Sequence, residues 1–276
     1  MTGLDRIIEN ALAEDIHTGD ITTLAVMRDK RVARGRLIAK EPMVLAGIET
    51  AARVFHLLDP GILFTPFFSD GDTLVTGNKI ADITGDAAAL LQGERVALNI
   101  LQRMCGIATL TARYVAQVRG TKARVVDTRK TAPGLRILDK YAVRVGGGVN
   151  HRTGLYDGVL IKENHITAAG GIGIAVSRAR AWIPHTMKIE VETESLAEVA
   201  EALAAGADII MLDNMDTAVM REAVAMIAGL ALVEASAGVN LETVRGIAET
   251  GVDIISVGAL THSTRAMDIS MLLDVS

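Results

Sequence analysis

MKIEVETESLAEVAEALAAGADIIMLDN, residues 187–214, sets the fold class. A short apolar run ends in Glu190 and Glu192. Ser195 then offers a helix N-cap, an apolar 3.6-residue periodicity follows, Gly206 stops it, and a second apolar run ends at Asp213 and Asn214. The unit repeats downstream. DTAVMREAVAMIAG (216–229) reads as a helix capped by Asp216 and stopped by Gly229, LALVEASAG (230–238) as a strand, and NLETVRGIAETG (240–251) as a helix from Asn240 to Gly251. VDIISVGALTHS (252–263) closes the series. Upstream, ARVVDTRK (123–130) and YDGVLIKENH (156–165) read as strands of the same kind. Strand starts recur about every 19 to 23 residues, the spacing of parallel strands joined by helices.

In a parallel barrel the C-terminal strand ends converge on one face, where active sites form. Here those ends read Asp127/Arg129/Lys130, Lys162/Asn164/His165, Glu190/Glu192, Asp213/Asn214, Glu234/Ser236 and Ser256/Gly258. The first hundred residues have a different grammar. GRLIAKEPMVLAG (35–47) and DGDTLVTGNKIADITGD (70–86) read as antiparallel strands with Gly/Asp/Asn turns, between helices near 4–14, 47–58 and 87–117. The expected architecture is α/β: an α+β N-terminal sandwich domain over 1–103, rejoined by 265–276, and an incomplete (β/α) barrel over 104–264.

Charge narrows the partner. The chain is −5 overall, yet residues 122–162 carry nine Lys or Arg against three acids, while the remainder carries 19 against 30. A locally cationic segment in an acidic chain fits a small, highly charged anion and argues against nucleic acid. With aromatics at 3%, base-stacking platforms are scarce. No apolar run is long enough for a membrane span, and MTGLDRIIEN lacks the form of a signal peptide, so a cytoplasmic protein is expected. The single Cys105 excludes an internal disulfide and reads as a small buried residue. Gly146-Gly147-Gly148 matches no nucleotide-binding pattern.

Two groups of candidate site residues emerge. Arg129, Lys130, Arg152 and Lys162 can bind carboxylate or phosphate. Glu192 and Asp213 end successive strands and offer the hard oxygen ligands that Mg²⁺ prefers. The turns Ser236-Ala237-Gly238 and Ser256-Val257-Gly258-Ala259 stand where barrels often hold phosphate on backbone N–H groups. Read singly, each of these residues is also an ordinary surface charge, cap or loop.

The segments EDIHTGDITT (14–23), GERVALNILQRMCGIAT (93–109), DTRKTAPGLR (127–136), GGGVNHRTGLYDGVLIKENH (146–165), EVETES (190–195), DIIMLDN (208–214), EASAGV (234–239) and SVGALTHS (256–263) resemble, in order, the quinolinate phosphoribosyltransferases. The resemblance implies a decarboxylating pentosyltransferase of NAD biosynthesis, converting quinolinate and phosphoribosyl pyrophosphate to nicotinate mononucleotide, with Mg²⁺. It implies a homodimer in which Arg95 reaches the neighbour's quinolinate. It assigns Arg129, His151, Arg152 and Lys162, with Thr128 nearby, to the quinolinate carboxylates, and Lys130 to the phosphoribosyl donor. Glu192 and Asp213 match the acids for the ribose hydroxyls and Mg²⁺-pyrophosphate. Ser236, Ala237, Gly238, Val257, Gly258, Ala259 and His262 match the 5′-phosphate end. The family usually has two glycines where this chain reads Ala237-Gly238. Two other readings stay open: a paralogous phosphoribosyltransferase acting on another substrate, and a non-catalytic barrel that binds phosphorylated metabolites.

Overall fold

Residues 3–27 and 29–275 are described by the computed structural model, and they divide into two compact units. The first is made of three stretches, 1–112, 132–147 and 263–276; the second comprises 113–131 and 148–262.

The first unit opens with α1 (Gly3–Ile16) and α2 (Ile21–Val26), the latter capped by Asp20, whose carboxylate accepts from the Thr23 N–H at 3.0 Å. The strands β1 (Val32–Ala39) and β2 (Met43–Val44), α3 (Ile48–Leu58), β3 (Leu63–Pro66), β4 (Thr73–Leu74) and β5 (Lys79–Asp86) come next, then the long helix α4 (Ala87–Gln117). With β12 (Ile269–Val275) at its edge, one antiparallel sheet runs in the order β12-β1-β5-β3, while β2 and β4 pair separately. Residues alternate along β1: Ala33, Gly35, Leu37 and Ala39 are buried, and Val32 and Arg34 are exposed. That is the pattern of a sheet with one face on a core. Burial pushes the Cys105 thiol in α4 up to about 12, so this residue is packing and not a nucleophile.

The helix α5 (Arg136–Val145) belongs to this first unit, whereas the sequence pattern assigns its segment to the barrel. Packing explains the difference. Its apolar face buries Leu138, Ala142 and Val143, and a Cβ on Gly146 would lie 2.4 Å from the Ala108 carbonyl oxygen, so only glycine lets the chain approach α4 there. Buried Asp139 accepts from Arg103 Nε at 2.8 Å and Arg103 Nη2 at 2.7 Å, a bidentate pair that ties α5 to α4.

The second unit contains β6 (Arg124–Val126), β7 (Val159–Ile161), α6 (Glu163–Ala169), α7 (Ile172–Trp182), β8 (Ile189–Thr193), α8 (Leu196–Ala204), β9 (Ile209–Asp213), α9 (Thr217–Ile227), β10 (Leu232–Ser236), α10 (Val244–Ala248), β11 (Ile254–Ser256) and α11 (Ala259–His262). Its six strands are ordered β6-β11-β10-β9-β8-β7, and every pair is parallel. Beside β6, Val149 makes a single parallel bridge to Val126. This is the incomplete α/β barrel that the repeated units imply. Ser195 and Asp216 cap their helices as expected. Asn240 instead closes a turn, accepting from the Glu242 and Thr243 N–H groups, so α10 is shorter than its sequence pattern. The strand read through 156–165 also ends earlier: Lys162 is the N-cap of α6, and its N–H donates to His165 Nδ1 at 3.0 Å.

Candidate active site

A cavity of about 420 Å³ lies at the C-terminal ends of the barrel strands, lined by Thr128, Arg129, Lys130, His151, Arg152, Lys162, Glu192, Asp213, Ser236 and Ala237. Ten positions that the sequence marks as substrate contacts thus share one wall. The fold brings them together by a simple device: eight of them follow or end β6, β7, β8, β9 and β10, His151 and Arg152 follow the Val149 bridge beside β6, and parallel strands present their C-terminal ends on one side.

The wall is electrostatically divided. Arg129, Lys130, Arg152 and Lys162 form its cationic part. Burial and then the neighbouring Arg129 charge pull the Arg152 guanidinium's pKa down, against the pull of Glu190 and Asp157. Crowded, partly desolvated cations of this kind are relieved by an anion with more than one charge. Arg152 is aimed by a 3.0 Å bond from Nη1 to the Gly158 carbonyl. Glu192 and Asp213 supply the acidic part, and Lys162 Nζ forms an ion pair with Glu192 Oε2 where the two meet.

The remaining predicted contacts are not among the residues that line this cavity. Gly258 packs against Lys130: a Cβ there would be 3.0 Å from Lys130 Cδ and 3.1 Å from His262 Nε2. Thr261 Oγ1 donates to the Lys130 carbonyl at 2.8 Å, so the α11 turn, including Ala259, fixes the start of the Lys130 side chain. Val257 is buried, and its N–H donates to Val126 O at 2.9 Å. Ala237 and Gly238 both have positive φ, 65° and 64°. The methyl of Ala237 therefore sits in the left-handed region that a glycine occupies without strain. Arg95 lies elsewhere. It lines a cavity of about 260 Å³ in the first unit with Glu14, Asp15 and Arg103.

The structure adds a layer that the sequence pattern misplaces. Glu190 and Glu234 sit inside their strands, not at the ends, and both are buried. His151 Nε2 is 3.1 Å from Glu190 Oε2 and 3.6 Å from Glu234 Oε2. Burial first, then the Glu190 charge, pushes the Glu234 carboxyl up to about 8. The signal was present in EVE (190–192): residues i and i+2 of a strand face one way, so an inward Glu192 implies an inward Glu190 one layer deeper. These three groups have the composition of a cation site, and their donor atoms lie within 4.8 Å of one another. Hydrogen bonding argues otherwise. His151 Nδ1 accepts from the Arg152 N–H at 2.7 Å, which leaves the ring proton on Nε2 and no lone pair there for a metal.

A parallel barrel with a rim of paired cations and acids is the apparatus of an enzyme that handles polyanions. Family models agree: residues 107–272 match the quinolinate phosphoribosyl transferase C-terminal domain and residues 20–105 the N-terminal domain. The chain is 44% identical to the probable nicotinate-nucleotide pyrophosphorylase [carboxylating] of Bacillus subtilis, over 99% of this chain and 94% of that protein. It is 45% identical to the Synechocystis protein of the same description, over 97% and 92%. The crystal structure of NadC from Streptococcus pyogenes superposes with a TM-score of 0.95 at 44% identity, covering 99% of this chain and 97% of that one. The chain belongs to the quinolinate phosphoribosyltransferase family.

Proposed function

We propose that this protein transfers phosphoribose from phosphoribosyl pyrophosphate to quinolinate and releases CO₂, yielding nicotinate mononucleotide for NAD biosynthesis. The observation that carries this reading is the divided wall: four cations for a dicarboxylate and a polyphosphate line one cavity with two acids for a ribose. Arg129, Arg152 and Lys162 hold the two carboxylates, with Thr128 and His151 shaping the pocket, and so orient the pyridine nitrogen behind the anomeric carbon. Lys130 faces the pyrophosphate and stabilises its charge as the C–O bond breaks and the N–C bond forms. The ring nitrogen becomes quaternary. Its positive charge then accepts the electron pair left on the adjacent carbon when CO₂ departs, and that carbon takes a proton.

Glu192 and Asp213 are carboxylates on neighbouring strands that line the same cavity, a donor set that suits Mg²⁺. They would hold the ion together with the donor pyrophosphate, whose charge it neutralises when bound. The turn at Ser236, Ala237 and Gly238, with Gly258, Ala259 and His262, serves the 5′-phosphate. No described helix is long and apolar enough to cross a membrane, and one buried, protonated cysteine fits a reducing cytoplasm.

Incubation with quinolinate, phosphoribosyl pyrophosphate and Mg²⁺ is expected to release CO₂ and form nicotinate mononucleotide, with nicotinate turned over poorly. Equal turnover of nicotinate would overturn the dicarboxylate pocket. The working unit is proposed to be a homodimer in which Arg95 enters the partner's site. Arg95→Ala and Lys162→Ala proteins, each inactive, should then regain part of the activity on mixing, because one site of each heterodimer lacks both lesions. Subunit exchange without recovery would sink the shared site.

A further inference from the structure

Asp127 follows the last residue of β6, is 0% exposed, and lines no described cavity at the barrel mouth. A buried carboxylate needs a reason, because it is taken out of water and must be repaid in hydrogen bonds. Its partners supply one. Asn150 Nδ2 donates to Asp127 Oδ2 at 2.6 Å, and the His151 N–H donates to Asp127 Oδ1 at 2.9 Å. The segment they belong to has only a short backbone ladder: Val149 N–H donates to Val125 O at 2.9 Å, and Asp127 N–H donates to Val149 O at 3.2 Å. Past that point the Asp127 side chain continues the pairing, residue by residue, along 150 and 151.

Residues 151 and 152 are thereby anchored in series. With its backbone held by Asp127, His151 turns Nδ1 to accept from the Arg152 N–H and directs Nε2 at Glu190. Arg152 is then set to reach the Gly158 carbonyl and the substrate wall. We propose that Asp127 is a positioning residue: without touching substrate, its carboxylate fixes the 150–152 segment and thereby aims His151 and Arg152 at the acidic substrate. The inference rests on the assignment of those two residues to the quinolinate side of the site.

The effect belongs to one substrate. Removing the carboxylate takes the acceptor from two part-buried donors and loosens the 150–152 segment, and a displacement of an ångström at a binding group is worth about 100-fold. Steady-state kinetics in both substrates make the test. Asp127→Ala is expected to raise KM for quinolinate about 30- to 100-fold while KM for phosphoribosyl pyrophosphate stays within about twofold. Asn150→Ala, which leaves the His151 bond in place, should raise it by about tenfold and serves if Asp127→Ala does not fold. The exchanged pair Asp127→Asn with Asn150→Asp restores donor to acceptor. The amide oxygen then at position 127 can still accept from the His151 N–H, while the amide nitrogen donates to the carboxylate at position 150; quinolinate KM should return to within about fivefold of the parent.

A merely structural role predicts instead that both KM values and the melting temperature move together, and that the exchange restores stability but not quinolinate binding. Either pattern, or an unchanged quinolinate KM in folded Asp127→Ala or Asn150→Ala, would overturn the inference. Arg152→Ala separates it from the reading beneath it. If that variant leaves quinolinate KM unchanged, the pocket assignment itself has failed, and positioning falls with it; if it raises KM while the Asp127 and Asn150 variants do not, positioning alone is wrong.

Discussion

Lys162→Met is expected to fold and to lose two to three orders of magnitude in kcat/KM for quinolinate. Two features separate the effect on activity from that on stability. Lys162 stands at the C-terminal end of β7 with its side chain 47% exposed, so deleting its charge and its ion pair with Glu192 should change stability by no more than about 1 kcal/mol. The reacting complex suffers more. On the proposed reading a charge-assisted contact to a carboxylate is lost, and Glu192 is left facing a dianion with no cation between them, so losses of about 10²- to 10³-fold are expected. Adding Glu192→Gln to Lys162→Met removes that uncompensated acid and should recover any lost melting temperature without recovering turnover, because the acid proposed for the ribose is then gone too. Differential scanning calorimetry beside CO₂ release reads both. Activity of Lys162→Met within about threefold of the parent would remove Lys162 from the substrate wall.

Gly106→Ala should destabilise the first unit by about 3 kcal/mol or more, lowering the melting temperature by about 6–12 °C. The sign is informative, because alanine in a helix interior ordinarily gains about 1 kcal/mol over glycine. Gly106 lies in α4, and a Cβ there would stand 2.1 Å from the Arg265 carbonyl oxygen, a backbone atom. That strand of chain cannot retreat freely. Met267 N–H donates to Gln102 O at 3.0 Å, and Gln102 Nε2 donates to Ile269 O at 2.8 Å, so moving Arg265 away from α4 strains the bonds that hold the chain just beyond it. Thermal unfolding of the single variant is sufficient, and a melting temperature within about 2 °C of the parent would show that the approach is looser than drawn.

The barrel was legible because its signal is local and repeated. Each strand-helix unit carries its own apolar run, cap and stop, and each parallel strand brings the residues at its C-terminal end to the same side, so Lys162, Glu192, Asp213 and Ser236 could be assigned to one wall from the chain alone. Depth within the barrel was harder. Glu190 and Glu234 look like further strand ends in a linear reading, and only the pleat, with Val191 and Ala235 between, shows that they lie one layer below the rim. Non-local packing was not legible at all. Nothing within residues 132–147 says that α5 joins the first unit, since its place depends on Asp139 meeting Arg103 and on Gly146 meeting Ala108, each more than thirty residues away. Asp127 was similarly opaque. In sequence it is one charge in a basic segment; its role appears only when Asn150 and His151 fold back on it.

The antiparallel sheet of the first unit has a consequence for biosynthesis. β1 is flanked by β5 and β12, and the ion pair that crosses the latter seam, Arg36 with Asp274, spans 238 residues of sequence. During translation β1 and β5 emerge together and can pair at once, but the other edge of β1 stays open while the whole barrel is being made. Its unpaired N–H and C=O groups are then a template for another nascent chain on the same message. Completion of this sheet therefore waits until the barrel has been synthesised, and a ribosome-bound chain halted before β12 carries a hazard that the completed sheet does not.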